Sequence, residues 1–178
     1  MVQESSAKAL TKTCPVFTQV EIIQKGEKMV VVNSLMATLH HIAAFTLTAC
    51  LVYEFIAYRR DLTVAEARRI QRVDLVYGIA AGVMLLAGLL RVYFFEKGPN
   101  YYFGNHVFWT KMALFVIVGL LSIYPTIRYI KWNPLLAENK MPDIPDKEYR
   151  NIRLLLWLEM VGLALILFAA PLMARGIG

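Results

Sequence analysis

Four long apolar blocks are the feature that most restricts how this chain can fold. Each block holds at least the about 20 predominantly apolar residues that a helix needs to cross about 30 Å of hydrocarbon. None of them shows the alternation of a strand, and a helix in lipid satisfies its backbone hydrogen bonds internally. The sequence therefore predicts an all-α integral membrane protein, an antiparallel four-helix bundle. The predicted spans cover residues 35–58, 73–95, 107–129 and 152–173.

The composition supports a membrane protein over other classes. Hydrophobic residues make up 58% of the chain and charged residues 18%, whereas soluble domains average about 45–50% apolar and about 25% charged. This excludes a disordered chain and argues against an ordinary soluble domain. The net charge of +6 is explained by positive loops beside anionic lipid. We therefore expect a lipid bilayer as the partner and no nucleic acid.

The lysines and arginines are distributed unevenly between the two sides of the predicted bundle. The first and third loops and the helix ends beside them hold eleven, the other side two, or six with the N-terminal tail. Positive residues accumulate in cytoplasmic loops, so both counts place these two loops in the cytoplasm and both termini outside. The eleven are Arg59, Arg60, Arg68, Arg69, Arg72, Arg128, Lys131, Lys140, Lys147, Arg150 and Arg153.

Residues 1–28 differ from the four-span domain, which we assign to residues 29–178. They are polar and have no apolar core of a signal peptide. The sequence leaves open whether they form a mobile tail, an interfacial strand or helix, or a segment upstream of a start at Met29. Because they offer no apolar run of span length, we expect their deletion to leave the membrane part folded.

Ionisable residues in the predicted outer leaflet form a site-like group. His40 and His41 lie in the first span, Arg91 near the end of the second and Lys111 near the start of the third. A neutral imidazole can ligate haem iron, and cations at the same depth can pair with propionates. We therefore predict that the histidines are metal and cofactor ligands, and that Arg91 and Lys111 are cofactor-binding and candidate catalytic residues.

The same residues also have simpler interpretations. Arg91 and Lys111 are close enough to span ends to extend to the headgroups, and a histidine can hydrogen-bond a neighbouring helix. His40 and His41 point about 100° apart on a helix, so at most one faces an iron squarely. Alanines share the helical stripe of His40, which slightly favours His40 because small residues admit a flat ring.

A second polar layer is predicted nearer the cytoplasmic side. It contains Glu54, Asp74, Arg128 and Glu159. A charged group at mid-helix costs about 2.5–3.5 kcal/mol on insertion scales, and Glu159 lies about two turns into the fourth span. We expect Glu159 to find a hydrogen-bond or charge partner on another span, with the other three as the nearest candidates by depth.

Motifs of soluble enzymes are absent from the sequence. It contains no phosphate-binding glycine loop, no HExxH, no Cys-x-x-Cys and no CxxCH. Covalent haem attachment uses the last of these motifs, so a bound haem would be a non-covalent haem b.

Four runs of the sequence carry a family resemblance. They are LHHIAAF at residues 39–45, RVDLVYG at 72–78, GLLRV at 88–92 and FWTKMAL at 108–114. In this order and at these depths they resemble a bacterial family of predicted membrane proteins, domain-of-unknown-function family 2214, over about residues 34–175. The resemblance implies a multi-pass protein of the bacterial inner (cytoplasmic) membrane and no particular activity.

A more distant similarity is to HemJ-type protoporphyrinogen oxidases and copper-resistance-D-like membrane proteins. In the HemJ type, a first-span histidine is associated with haem b and a lysine early in a later span with function; His40 or His41 and Lys111 match these positions. Two features depart from that type. Trp109 stands where it has a histidine, and its Arg-x-x-x-Asn-Glu pattern is missing, since Arg153 precedes Glu159 by six residues. The departures bear on the oxidase reaction more than on haem binding.

Three functions remain open at this stage. The first is haem-b binding for a redox or tetrapyrrole-related role; an enzyme of this kind would be a haem-dependent membrane oxidoreductase. The second is a non-catalytic accessory subunit of a larger respiratory or photosynthetic complex. The third is a small transporter or copper-handling protein, which is weakest because the spans lack thiolate or thioether clusters for Cu(I). The sequence does not decide the substrate, the electron partner, or whether the chain forms homo-oligomers.

Overall fold

The computed structural model describes residues 15–95 and 102–174, and within these ranges the regular structure is entirely helical. Four helical segments are long and apolar enough to cross a membrane: Glu27–Ala57, Val64–Phe94, His106–Ala137 and Asp146–Leu172. The predicted all-α, four-span architecture is confirmed. The helices are α1 (Pro15–Ala57), α2 (Val64–Leu90, continued by a π-helical turn at Arg91–Phe95), α3 (His106–Lys131), α4 (Asn133–Ala137) and α5 (Asp146–Ala174).

The start of α2 shows why the helices are longer than the apolar blocks. Thr63 caps this helix: its hydroxyl accepts a hydrogen bond from the Glu66 backbone N–H, and the Glu66 carboxylate accepts one from the Thr63 N–H at 2.8 Å. This reciprocal arrangement is a capping box. The helix therefore begins at Val64, and its first turns carry the charged residues that end the apolar block.

The first helix also extends further than its predicted span. It runs from Pro15 to Ala57 without a break at residue 28, so half of the predicted tail continues the first span as helix. At 1.5 Å per residue, its 43 residues are about 64 Å long, about twice the hydrocarbon thickness. The rest of the predicted tail, residues 1–14, lies outside the described residues.

The bundle is built from two main helix pairs. α1 packs along α2 and α3 along α5, with smaller contacts between α1 and α5 and between α2 and α3. Gly162 of α5 lies against Val118 of α3, where a Cβ on the glycine would come within 2.5 Å of Val118 Cγ2. This close approach is the small-residue packing that membrane helices use.

The two connections 58–63 and 138–145 lie at the same end of the bundle, which we call the loop end. Tyr58 packs there between Trp132 and Tyr149, with ring centroids 6.4 and 5.5 Å away. Arg68 of α2 donates a hydrogen bond to the side chain of Asn139 at 2.9 Å. Asn139, two residues after the end of α4, has a φ of 56°, which asparagine tolerates well. The contact between Arg68 and Asn139 holds the connection 138–145, the third between the spans, against α2.

Candidate functional site

A cavity of about 370 Å³ lies at the end of the bundle opposite the loop end. Its lining includes all four residues of the predicted outer layer: His40, His41, Arg91 and Lys111. The structure thus brings together residues from three helices that the sequence groups only by depth. The remaining lining is mostly apolar and comes from all four spans and, at Tyr102, from the segment before α3: Ala44, Met84, Leu85, Gly88, Leu89, Val92, Tyr102, Phe108, Met112, Phe115, Ile166, Leu167 and Ala170.

His40 is held by the neighbouring helix. Its Nδ1 lies 3.2 Å from the Met84 carbonyl oxygen of α2, and its ring lies close to Gly88, where a Cβ would come within 3.3 Å of His40 Cε1. When Nδ1 carries the proton and donates it to this carbonyl, Nε2 keeps its lone pair. Metal-ligating histidines have this arrangement, in which one nitrogen is oriented by a carbonyl and the other binds.

His41 is held by its own helix. Its Nδ1 lies 2.7 Å from the Ala37 carbonyl oxygen, four residues earlier, and its side chain is exposed. The two imidazole rings are 6.1 Å apart and nearly perpendicular. They therefore diverge, and the interhelical bond makes His40 the better positioned of the two.

Arg91 and Lys111 contribute two cationic side chains to the cavity lining. Arg91 opens the π-helical turn that follows α2, and Lys111 lies in the second turn of α3. Both are within electrostatic reach of His40. The start of α3 is fixed by Asn105, whose side-chain oxygen accepts a hydrogen bond from the Phe108 N–H at 3.1 Å. Two cations beside mostly apolar walls suit an amphipathic ligand that carries an anionic group.

Three carboxyl groups lie buried between this cavity and the loop end. Glu54 of α1, Asp74 of α2 and Glu159 of α5 are 3%, 7% and 1% exposed. The Tyr77 hydroxyl donates a hydrogen bond to Glu159 Oε2 at 3.3 Å, and the Thr126 hydroxyl donates one to Asp74 Oδ1 at 2.7 Å. Glu159 thus has a partner on another span, but the partner is Tyr77, which the sequence-based prediction did not include.

Arg128, one of the three candidate partners of Glu159, is paired with another carboxylate. Its guanidinium forms a salt bridge with Glu148, in the first turn of α5. Arg153 donates to the Phe55 carbonyl oxygen and lies over the Phe55 ring, 4.4 Å from its centroid. Both arginines are thus directed to groups outside the set of three carboxyls. Tyr77, the partner of Glu159, lies three residues after the candidate Asp74 and therefore on the same face of α2. This spacing was the signal in the sequence that Tyr77 also reaches Glu159.

Among the described residues, neither the cavity residues nor the buried carboxyl groups supply the ligand set of a metal site. Within the described ranges 15–95 and 102–174, no three histidine, cysteine, aspartate or glutamate side chains are arranged to hold a metal ion.

These features define a helical membrane protein with four candidate spans, a cationic cavity near one end and buried carboxyl groups nearer the other. The family of predicted membrane proteins DUF2214 matches residues 32–178, and the chain belongs to this family. No curated protein and no solved structure matches the chain. The family match confirms the first resemblance seen in the sequence; the more distant one to HemJ-type oxidases stays a prediction.

Proposed function

We propose that the cavity binds haem b, with His40 as an axial ligand, for a redox or tetrapyrrole-related role in the bacterial inner membrane. One observation carries the proposal: His40, Arg91 and Lys111, from three different helices, line a single mostly apolar cavity. A porphyrin with two propionates needs this combination of a nitrogen ligand, apolar walls and cations.

The donor groups fit this cofactor. The contact between His40 Nδ1 and the Met84 carbonyl oxygen leaves Nε2 for iron, and the porphyrin supplies the equatorial nitrogens that the protein side chains do not. The cavity volume of about 370 Å³ is within the range of about 300–1,000 Å³ found for small-molecule sites. When bound, haem b supplies one-electron chemistry.

The protein side chains have separate tasks in this proposal. His40 would hold the iron, and its contact with the Met84 carbonyl of α2 would fix the plane of the imidazole ring. Arg91 and Lys111 would orient the porphyrin through its carboxylates. Apolar side chains such as Phe108 and Phe115 would exclude water from the bound group.

The test is a visible spectrum of the purified protein. The chain is expressed with adequate haem supply and purified in mild detergent, and reduced-minus-oxidised spectra are recorded. We expect a haem-b α-band that is lost in His40→Ala and retained in the matched variant His41→Ala. Size-exclusion chromatography checks that both variants stay folded.

Three outcomes would contradict the proposal. A band that survives in His40→Ala but not in His41→Ala would overturn the choice of ligand. A band that survives in both variants would place the iron elsewhere. A colourless, stably folded wild-type protein would remove haem binding and leave the accessory subunit as the alternative.

A further inference from the structure

The three buried carboxyl groups are a second site, which does not depend on the cavity or on haem. Glu54, Asp74 and Glu159 come from three different helices and are each more than nine-tenths buried. An ionised carboxylate in such a place is costly unless a cation pairs with it. The nearest arginines by depth, Arg128 and Arg153, are directed to Glu148 and to the Phe55 carbonyl instead. Protonation of the carboxylates removes this cost.

Some polar atoms of the carboxyl groups, and the hydroxyl of a neighbouring tyrosine, have no hydrogen-bond partner among the described residues. Among the described residues, Glu54 Oε1, Glu159 Oε1 and the Tyr129 hydroxyl have no hydrogen-bond partner. Tyr129 is fully buried and lies within electrostatic reach of all three carboxyl groups. Buried polar atoms of this kind are satisfied by internal water, and water next to a carboxyl group can exchange protons with it.

Further polar atoms without a hydrogen-bond partner in the described part of the chain lie nearer the loop end, on Tyr58 and Glu148. The Tyr58 ring lies 5.9 Å from the Tyr129 ring, and Tyr58 is within electrostatic reach of Glu148. The Tyr58 hydroxyl and Glu148 Oε1 also have no hydrogen-bond partner among the described residues. Glu148 lies in the first turn of α5, next to the third connection. Buried oxygens on Tyr129, Tyr58 and Glu148 that are unpartnered within the described ranges thus lie on the loop-end side of the three carboxyl groups.

We propose that Glu54, Asp74 and Glu159 form a proton-binding site that exchanges protons with water at the loop end. The protons would pass along a route lined by Tyr129, Tyr58 and Glu148. Each step is the addition of one proton to one carboxylate or its release, so no other reactant is needed. The titratable and charged groups around the site are Cys50 and Tyr58 of α1, Tyr77 of α2, Tyr124, Arg128 and Tyr129 of α3, and Glu148, Tyr149 and Arg153 of α5.

Infrared spectroscopy of the full-length protein in lipid tests proton binding. Protonated carboxyl groups have a carbonyl-stretching band that carboxylates lack. We expect this band at neutral pH, and we expect Glu54→Gln, Asp74→Asn and Glu159→Gln each to weaken it. Glu138→Gln, at an exposed carboxyl of the loop end, is the matched control and should leave it unchanged. Absence of the band at neutral pH, or a band that none of the three variants weakens, would overturn the proposal.

Transfer of the same samples into D2O tests the route. The band shifts as the carboxyl protons exchange, and its rate of shift reports access to water. We expect a severalfold slower shift in Tyr129→Phe and in Tyr58→Phe, and an unchanged rate in Tyr53→Phe, the same substitution beside Glu54 on α1. Should Tyr129→Phe fail to fold, Tyr58→Phe alone decides. A rate equal to that of the wild type in the folded variants would overturn the route.

Discussion

Polar side chains inside the spans make two kinds of hydrogen bond. Thr48 and Thr110 donate to carbonyl oxygens four residues earlier in their own helices, a local bond that any helix can provide. Thr126 and Tyr77 instead donate to carboxyl groups on other helices. Only the second kind says which helices are neighbours, and these residues therefore matter most for the arrangement of the bundle.

Replacing Thr126 by valine tests this distinction. Valine keeps the shape but leaves Asp74 Oδ1 without its donor at 2.7 Å. Hydrogen bonds between membrane helices average about 0.6 kcal/mol and reach about 1.7 kcal/mol, so we expect a loss near the upper value because Asp74 is buried. Thr110→Val, on the same helix, is the control and should change little. Unfolding in mixed micelles measures both; equal losses would contradict the argument.

The sequence predicts the number of membrane-spanning helices and their approximate positions better than it predicts where each helix begins and ends. Apolar runs locate the four spans because lipid demands about 20 such residues. The sequence predicts a second span that begins at residue 73 because Arg68, Arg69 and Arg72 interrupt the apolar run, whereas α2 begins at Val64. Thr63 and Glu66, which have the spacing of a capping box, are the signal for this earlier start. Signals for the helix ends therefore lie outside the apolar pattern.

The position of a residue along its predicted span indicates which side chains line the cavity, but it does not indicate which side chains pair with the buried carboxyl groups. His40, Arg91 and Lys111 meet because they lie at one depth on neighbouring helices. Arg128 pairs with Glu148, which lies eleven residues, or about 16 Å, before Glu159 on α5, because an apolar run gives neither the exact depth of a residue nor the rotation of its helix about its axis. Rotation is set by packing between helices, which a single sequence does not show.

The contact between α3 and α5 gives a prediction about packing. In Gly162→Ala the new methyl group would lie 2.5 Å from Val118 Cγ2, and the β-branched valine has little freedom to turn away. Overpacking of this kind costs about 1–3 kcal/mol, so we expect a lower free energy of unfolding.

A double-mutant cycle separates this contact from a general effect of alanine. Adding Val118→Ala to Gly162→Ala should recover part of the loss, because the clash disappears. Gly119→Ala, where nothing lies within 4 Å of the new methyl group, is the control and should not destabilise. Strict additivity of the two single changes would show that the contact is not the cause.

The cavity residues and the buried carboxyl groups lie in different halves of the bundle. His40, Arg91 and Lys111 line the cavity at one end, while Glu54 and Glu159 lie toward the loop end. Apolar core residues fill the bundle around them: Ala43, Leu47, Leu51, Ala80, Met84, Leu156, Leu163 and Ile166. The two proposed sites can therefore be tested independently, since substitutions in one do not contact the other.

The orientation of the bundle in the membrane is the remaining prediction, and it decides which compartment the loop end faces. The eleven lysines and arginines on the loop side, against two or six on the other, predict a cytoplasmic loop end. Single cysteines are introduced into a variant without Cys14 and Cys50, at Asp61 and Lys140 on the loop end and at Gly104 on the opposite end; all three positions are exposed. An impermeant thiol reagent should label Gly104→Cys in intact spheroplasts, and Asp61→Cys and Lys140→Cys only after permeabilisation. Reversed labelling would invert the bundle and place the proposed proton route on the outer side.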